Sequence, residues 1–477
     1  MATEKKEKKE VKLEYEDRNG WLGASEKEKK EIFAFAEDYM KYLDASKTER
    51  ECVVTSAALL EKAGFTDIAK KKKLAAGDKV YFINKKKSLY AAVIGTDSPE
   101  KGIKLVGAHL DSPRLDLKPN PLYEDTEIAL FKTHYYGGIR KYQWVAVPLA
   151  LHGVVVLTDG TVKEINIGED EKDPVLIISD LLPHLAAKQS KKPLSEAISG
   201  EDLNIIIGSI PMADEKKDKK GGEAAARGSV KKNILKILHE KYGIKERDFT
   251  SAELEIVPAF KARSLGLDGS MVASYGHDDR VCSFPELRAL LDVKKPKMTA
   301  VCMLTDKEEI GSEGNTGMQS QNFELFLMEM LEKQGYNSPY TLQKMLSNSM
   351  CLSADVTAAF DPTFPEVFER SNAAYFGHGI AFCKYTGGRG KSGASDANPE
   401  FIGYVRGLFE KAGVAHQFCE MGKVDEGGGG TIAHFLANKG MEVLDCGVPV
   451  LSMHSPYEQI SKFDLYHSYL GYKAFLK

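Results

Sequence analysis

Short apolar runs alternate with amphipathic segments along most of the chain, a pattern typical of an α/β fold. Ser25 and Glu28 precede apolar residues at helical spacing and predict a capping box and a helix of about 20 residues. Further predicted elements are helices at 52–63, 322–334 and 463–475 and one ending at Leu291, and strands at 80–84, 90–95, 103–108, 254–259, 299–304, 350–354, 379–384, 415–420 and 443–444. Such alternation predicts a mixed, mostly parallel sheet covered by helices.

The stretch from residue 119 to residue 252 breaks this alternation. Four of its segments are apolar or β-branched and predict strands without intervening helices, namely 145–151, 153–157, 174–178 and 203–207. The charged, glycine- and alanine-rich segment 214–232 predicts a loop. We therefore predict an α/β domain in two parts, residues 1–118 and 253–477, interrupted by a β-rich inserted domain, residues 119–252.

Composition narrows the class of protein. The 477 residues are 43% hydrophobic, and 69 acidic against 65 basic side chains give a net charge of −4. So small a charge predicts no nucleic-acid or membrane-surface partner. No apolar stretch approaches the length of about 18 residues that spans a membrane, and no signal-peptide core is visible. Seven cysteines without Cys-x-x-Cys spacing predict free thiols, so we expect a cytoplasmic protein.

Side chains that bind metals follow five apolar runs, or lie in the turn next to one. They are His109 with Asp111, Asp278 with Asp279, Glu308 with Glu309, Asp355, and His454. Each alone is more typical of a solvated turn or a core residue than of a metal ligand. Because ligands bind at the carboxyl ends of strands in open α/β sheets, the whole set predicts one site. Histidines and carboxylates without a thiolate suit zinc, manganese or cobalt.

The number of candidate ligands favours two metals over one. Two histidines and three carboxylates exceed the ligands of one tetrahedral zinc and leave no position for water. Two ions about 3.5 to 4 Å apart, bridged by one carboxylate, leave room for the attacking water. Asp111 can then accept the second ring N–H of His109. One of the adjacent glutamates can bind metal while the other acts as general base.

With these residues in view, the chain resembles the aspartyl aminopeptidase family of dinuclear zinc exopeptidases over nearly its whole length. The motifs that carry the resemblance are GAHLDSPRLDLKP, DDRVCSF, DKEEIGSEGNTG, CLSAD and VLDCGVPVLSMHS, in the order of the family. The resemblance implies a zinc-exopeptidase fold and two divalent ions per chain, typically zinc, with cobalt and manganese as alternatives. It also implies removal of amino acids from peptides that have a free N-terminus.

The resemblance assigns roles to the candidate residues. Five residues would hold the two ions: His109 and Asp355 on one, Glu309 and His454 on the other, and Asp278 bridging both. Glu308 would be the general base, and Asp111 would orient His109.

Three further residues are placed near the substrate. His184 matches a histidine that, in relatives, reaches the site of a neighbouring subunit, which implies a large homo-oligomer such as the tetrahedral dodecamer of those relatives. Lys384 matches a basic residue near the substrate side chain. Gly429 lies in a glycine run without the Gly-Lys-Ser/Thr ending of a phosphate loop, and we predict that this run walls the substrate pocket.

Two departures from the family pattern leave the substrate preference open. Relatives that prefer acidic N-terminal residues carry a histidine where this chain has Ala358, and His277 stands where the family commonly has leucine. An acidic preference is thus an expectation that does not exclude neutral residues. Two alternatives also remain at this point, namely a deacylase on the same two-metal scaffold and a non-catalytic assembly protein. A requirement for a free amine separates the aminopeptidase from the deacylase.

Overall fold

The structure is a computed structural model that describes residues 13–14, 18–212 and 229–477. Its α-helices are, in chain order, α1 (Glu26–Asp44), α2 (Glu49–Lys62), α3 (Leu194–Ala197), α4 (Ser229–Tyr242), α5 (His277–Leu291), α6 (Asn322–Lys333), α7 (Pro339–Ser347), α8 (Pro399–Ala412), α9 (Ala433–Ala437) and α10 (Lys462–Leu476). Ser25 caps α1 by accepting from the N–H of Glu28, while a complete capping box joins Thr48 and Glu51 at α2.

The strands of the described residues form three sheets. They are β1 (Thr66–Asp67), β2 (Lys79–Asn84), β3 (Ser88–Val93), β4 (Ile103–His109), β5 (Arg114–Asp125), β6 (Ile128–Tyr136), β7 (Leu149–Val156), β8 (Val162–Ile167), β9 (Ile205–Gly208), β10 (Ala252–Pro258), β11 (Arg263–Leu265), β12 (Met271–Ser274), β13 (Thr299–Thr305), β14 (Met350–Ser353), β15 (Thr357–Ala358), β16 (Ile380–Cys383), β17 (His416–Cys419), β18 (Glu442–Gly447), β19 (Pro449–Leu451) and β20 (Glu458–Ser461).

The nine-stranded main sheet has the order β1-β2-β3-β13-β4-β14-β18-β16-β17. Five of its eight pairings are parallel, including all those among β13, β4, β14 and β18. Helices α1, α5, α8 and α10 cover one face, and α6, α7 and α9 cover the other. The prediction of a mixed, mostly parallel and helix-covered sheet is confirmed.

The central strand β13 shows why its sequence has no polar side. Ala300, Cys302 and Leu304 contribute to one apolar core, and Val301 and Met303 contribute to the core on the opposite face. A strand buried on both faces is apolar throughout, so the run predicted its burial correctly. The carboxyl ends of four such parallel strands then meet at one edge, where polar side chains can gather.

The β-rich insertion contains a six-stranded antiparallel sheet, in the order β8-β7-β10-β5-β6-β9. The predicted strands 145–151 and 153–157 are wrong, because one continuous strand, β7, replaces them. Gly153 lies inside β7, and its missing side chain lets β10 approach, since a Cβ there would lie 2.0 Å from the carbonyl oxygen of Glu253. Segment 174–178 makes only isolated bridges, at Leu176 and Ile177.

The part of the chain that forms this sheet is longer than the predicted insertion, residues 119–252. The sheet begins with β5 at Arg114 and ends with β10 at Pro258, although the sequence placed strand 254–259 in the α/β domain. An isolated apolar run does not reveal which sheet it joins. Residues 214–228 of the predicted loop 214–232 lie outside the described residues. The last part of the prediction is wrong, because helix α4 begins at Ser229. The division into three segments otherwise stays a prediction.

A third sheet, which the sequence did not predict, has the order β11-β12-β20-β19-β15. Its strands β12 and β20 pair antiparallel, with Ser274 opposite Glu458. Helix α5 begins soon after β12, and β19 ends just before Ser452. The sheet therefore brings the segment around Asp278 next to the segment around His454.

We expect His277 to make the fold sensitive to acid. The Tyr39 hydroxyl lies 2.8 Å from Nδ1 and the Val272 carbonyl oxygen lies 3.2 Å from Nε2, and burial lowers the pKa of His277 to about 3. The unfolded chain therefore binds a proton that the folded chain excludes between about pH 6.5 and 3, and stability falls as the pH falls through that window. At pH 5 the loss is about 2 kcal/mol relative to neutral pH.

Urea unfolding of the wild type and of His277→Gln at pH 7.5 and pH 5 measures this loss. Glutamine can still accept from Tyr39 and donate to Val272, but it does not titrate. The wild type should lose more stability than the variant on acidification, by about 2 kcal/mol. Equal losses in the two proteins would contradict the assignment.

Candidate metal centre

The candidate ligands meet at the carboxyl edge of the main sheet. His109 is the last residue of β4, and Asp355 follows β14 by two residues. Glu308 and Glu309 form a short 3-10 turn after β13, and Asp278 lies in the first turn of α5. The candidate ligands thus lie at the carboxyl ends of the strands, where open α/β sheets bind ligands, although they come from distant parts of the chain.

Both histidines have Nδ1 hydrogen-bonded and Nε2 directed at carboxylates. Nδ1 of His109 lies 2.9 Å from the carbonyl oxygen of Asp111, and Nδ1 of His454 lies 2.8 Å from that of Gly138. A carbonyl oxygen only accepts, so Nδ1 must carry the proton in each ring. The lone pair of the neutral imidazole is then on Nε2, the nitrogen that can bind a metal.

Asp278 lies between the two histidines. Its Oδ1 is 3.1 Å from Nε2 of His109, and its Oδ2 is 3.1 Å from Nε2 of His454. Asp355 flanks the first ring, with Oδ1 3.8 Å from Nε2 of His109. Glu309 flanks the second, with Oε2 3.4 Å from Nε2 of His454. Asp278 is therefore shared by both histidines, and each histidine has a further carboxylate beside it, a donor set that suits one or two divalent ions.

Bound cations would offset the negative charge of the buried carboxylates in this cluster. Burial raises the pKa of Glu308 to about 7, and it also raises the pKa values of Glu309 and Asp355, with neighbouring carboxylates adding to each rise. Oδ1 of Asp278 and Oε1 of Glu309 are buried without a hydrogen-bond partner among the described residues. Because unpaired buried carboxylates are costly, divalent ions fit the donor set and would offset its charge.

Asp111 holds the turn that carries the two glutamates. Its Oδ1 accepts from the N–H of Glu308 at 3.1 Å, and its Oδ2 accepts from the N–H of Glu309 at 3.2 Å. The Tyr136 hydroxyl donates to Oδ2 at 2.8 Å, and Oδ1 lies 3.3 Å from Nδ1 of His109. Although burial alone would raise the pKa of Asp111, the bond to His109 lowers it. The side chain is thus an anion that orients both the histidine and the turn.

Comparison with known proteins shows which family the chain belongs to. The family model of the aminopeptidase I zinc metalloproteases (M18) matches residues 42–476. The chain belongs to this family. A probable M18 aminopeptidase 1 of Clostridium acetobutylicum is 53% identical over 431 residues, 90% of this chain and 91% of the relative. It follows that the chain is a zinc aminopeptidase and a peptide hydrolase, and the predicted resemblance is confirmed.

Solved structures of M18 aminopeptidases share the fold. The crystal structure from Thermotoga maritima superposes with a TM-score of 0.91 at 43% identity, covering 97% of this chain and 100% of the other. Aminopeptidase I of Clostridium acetobutylicum gives a TM-score of 0.90 at 48% identity, covering 98% and 100%. A yeast dodecamer at 22% identity has the same fold, with a TM-score of 0.73 over 92% and 95% of the two chains. The zinc-exopeptidase fold predicted from the motifs is confirmed.

A cavity of about 270 Å³ opens beside Asp355 in this M18 enzyme. Two glycine-rich loops, residues 387–393 and 426–430, wall it, and the amide of Gly387 donates to the carbonyl oxygen of Gly429 at 2.6 Å. Gly427 and Gly428 line the cavity directly, whereas Gly429 ties the loops together. The predicted glycine wall thus lies at this cavity, although its contact with substrate stays a prediction.

The other two residues predicted near the substrate lie elsewhere. Lys384 is solvent-exposed and is not among the residues that line the cavity. His184 is exposed on the short turn Pro183–Leu185 of the insertion, and no hydrogen bond or ion pair within residues 18–212 and 229–477 joins it to the carboxylate cluster. Their roles in this M18 enzyme therefore stay predictions.

Sequence reasoning missed Glu458 and Tyr136. Glu458 accepts from the backbone N–H groups of Asp278 and His454, and Tyr136 donates to Asp111. Neither residue follows an apolar strand, and glutamate and tyrosine in polar sequence are ordinarily solvated. The sequence therefore carried no signal for these two partners of the M18 site.

Two more sequence expectations concern properties of the whole chain. All seven cysteines are free and buried, as predicted. No helix of the described residues has the length and apolar character needed to cross a membrane.

Proposed function

We propose that the chain is a two-metal aminopeptidase whose ions are held by the five predicted ligands. Asp278 carries this proposal, since each of its oxygens faces Nε2 of a different histidine at 3.1 Å. His109 and Asp355 would hold one ion, and Glu309 and His454 the other. Zinc is the metal that the family description supports, with cobalt and manganese as alternatives.

Glu308 would be the general base. When bound, two divalent ions lower the pKa of water and polarise the scissile carbonyl. Glu308 is largely buried, and the raised pKa of its carboxyl suits it to take a proton near neutral pH and to give it to the leaving amine. Asp111 keeps Glu308 beside the ligands by accepting from its backbone N–H.

Metal content and the need for a free amine test this function together. The purified enzyme should retain about two zinc ions per chain and should hydrolyse leucine p-nitroanilide. It should not hydrolyse N-acetyl-leucine p-nitroanilide at a comparable rate. Faster hydrolysis of the acetylated substrate would favour the deacylase, and binding of both ions without hydrolysis of either would favour a non-catalytic protein.

The cavity beside Asp355 supports a preference for uncharged N-terminal side chains. Its buried lining includes Val356, Cys383 and Cys446, which are apolar. Asp445 also lines it, and burial raises the pKa of that carboxyl to about 6, whereas the basic residues of the lining, Arg389, Lys391 and Lys423, are solvent-exposed. An acidic side chain would lose water there and face a second carboxyl group, so its burial would be costly.

We therefore expect leucine and methionine substrates to exceed aspartate and glutamate substrates in kcat/KM by about tenfold or more. Initial rates on the four aminoacyl p-nitroanilides, at one zinc concentration and with each substrate below its KM, measure the ratio. A higher kcat/KM for the two acidic substrates would restore the acidic preference. In that case the basic residues of the lining, Arg389, Lys391 and Lys423, would be tested by substitution together with Lys384, which lies outside it.

We also propose a cytoplasmic homo-oligomer in which the insertion makes subunit contacts. Leu181, Leu182 and Leu185 each expose half or more of their surface beside His184. Adjacent exposed leucines are typical of a protein interface. The assembly in relatives implies a dodecamer, and light scattering of the purified protein would give the number of subunits.

A further inference from the structure

Glu458 contacts the backbone of two proposed metal ligands at once. Its Oε1 accepts from the N–H of His454 at 2.7 Å, and its Oε2 accepts from the N–H of Asp278 at 3.1 Å. The side chain is only 1% exposed and lies at the start of β20. One carboxylate thus connects the bridging ligand to the histidine of the second ion.

The backbone of His454 needs such a partner. Its φ is +65°, a left-handed conformation that a residue with a side chain rarely adopts, and Ser452 nearby has a φ of +56°. A conformation of this kind persists when its surroundings hold it. At His454, Glu458 accepts from the N–H and the carbonyl oxygen of Gly138 accepts from Nδ1, so both the backbone and the ring are held.

The charge of Glu458 also relates it to the metal site. No lysine or arginine of the described residues forms an ion pair with it, although its side chain is fully buried. A buried carboxylate without a cationic partner is costly. The proposed ions on the adjacent ligands Asp278 and His454 would supply the missing positive charge.

We propose that Glu458 is a positioning residue that sets the affinity of the ion held by Glu309 and His454. The inference rests on the proposed two-metal function. The other ion would be held by His109 and Asp355, with which Glu458 forms no hydrogen bond. Loss of Glu458 should therefore weaken one ion more than the other.

Glu458→Gln tests the proposal with little change of shape. The amide oxygen can serve one of the two N–H groups, but the NH₂ group faces the other donor and cannot accept from it. The matched control is Glu286→Gln, because Glu286 is also a fully buried glutamate but accepts from the thiol of Cys302, away from the ligands. Both variants and the wild type are stripped with a chelator and titrated with zinc in metal-buffered solutions.

We expect the wild type and E286Q to take up two zinc ions with the same pair of dissociation constants. In E458Q one of the two constants should rise about 10- to 100-fold, while the other changes little. The melting temperature of the metal-free protein, measured alongside, separates a positioning role from a purely structural one. If E458Q does not fold, Glu458→Asp, which is too short to reach both N–H groups, replaces it in the same titration.

Two results would overturn the proposal. In the first, the variant binds both ions as tightly as the wild type and its metal-free form is equally stable. In the second, its metal-free form loses stability while both dissociation constants stay unchanged, which is the signature of a structural role alone. Failure of the proposed function is distinguishable from either, because the wild type itself would then not bind two ions.

Discussion

Replacing Glu308 with glutamine should lower kcat by about 10²- to 10⁴-fold and leave both metal ions bound. Glutamine has nearly the same shape, but its amide cannot take a proton from water. The backbone should stay in place, because Asp111 accepts from the N–H of residue 308 and not from its side chain. Steady-state kinetics on leucine p-nitroanilide, combined with metal analysis of the same sample, measures both parts of the expectation.

Glu313→Gln is the matched control for this experiment. Glu313 lies in the same loop but is solvent-exposed, so its variant should keep the wild-type kcat and metal content. Activity of E308Q within about threefold of the wild type would exclude Glu308 as the general base. Loss of metal from E308Q would instead make Glu308 a ligand, which would contradict the assignment of that role to Glu309.

The sequence predicted that the candidate ligands lie close together, because most of them follow apolar strands. The run that ends at His109 and the run 299–304 identify buried strands by local composition alone. Because open α/β sheets bind ligands at the carboxyl ends of their strands, residues that follow these strands are expected to lie close together in the fold. The order of the strands, which local patterns do not contain, came from the structure.

The third sheet and Glu458 show where this reasoning stops. The pairing of Ser274 with Glu458 joins segments far apart in the chain, and neither segment has an apolar run long enough to indicate a partner. The same limit explains β10, whose apolar residues fit either sheet equally well. Pairing between distant strands depends on the packing of the whole domain, so a local pattern does not determine it.

Replacing Asp278 with asparagine should reduce the affinity of both metal ions, by about 100-fold or more for at least one of them. Asparagine retains one carbonyl oxygen, whereas its NH₂ group cannot bind a cation, so one of the two contacts 3.1 Å from the histidines is lost. Removal of the negative charge also weakens the attraction that both ions share. Activity should fall with metal occupancy and return in part at high zinc concentration.

The stability of the holo enzyme gives an independent measure of this loss. An ion present at 100 times its dissociation constant stabilises the folded state by about 2.7 kcal/mol, so D278N should melt close to the metal-free wild type. Asp292→Asn is the control, because Asp292 lies at the far end of α5, where it pairs with Lys473 and accepts from the Tyr469 hydroxyl. If D278N kept two tightly bound ions and the melting temperature of the holo wild type, Asp278 would not be the bridge. The two groups of donors would then have to bind their ions separately.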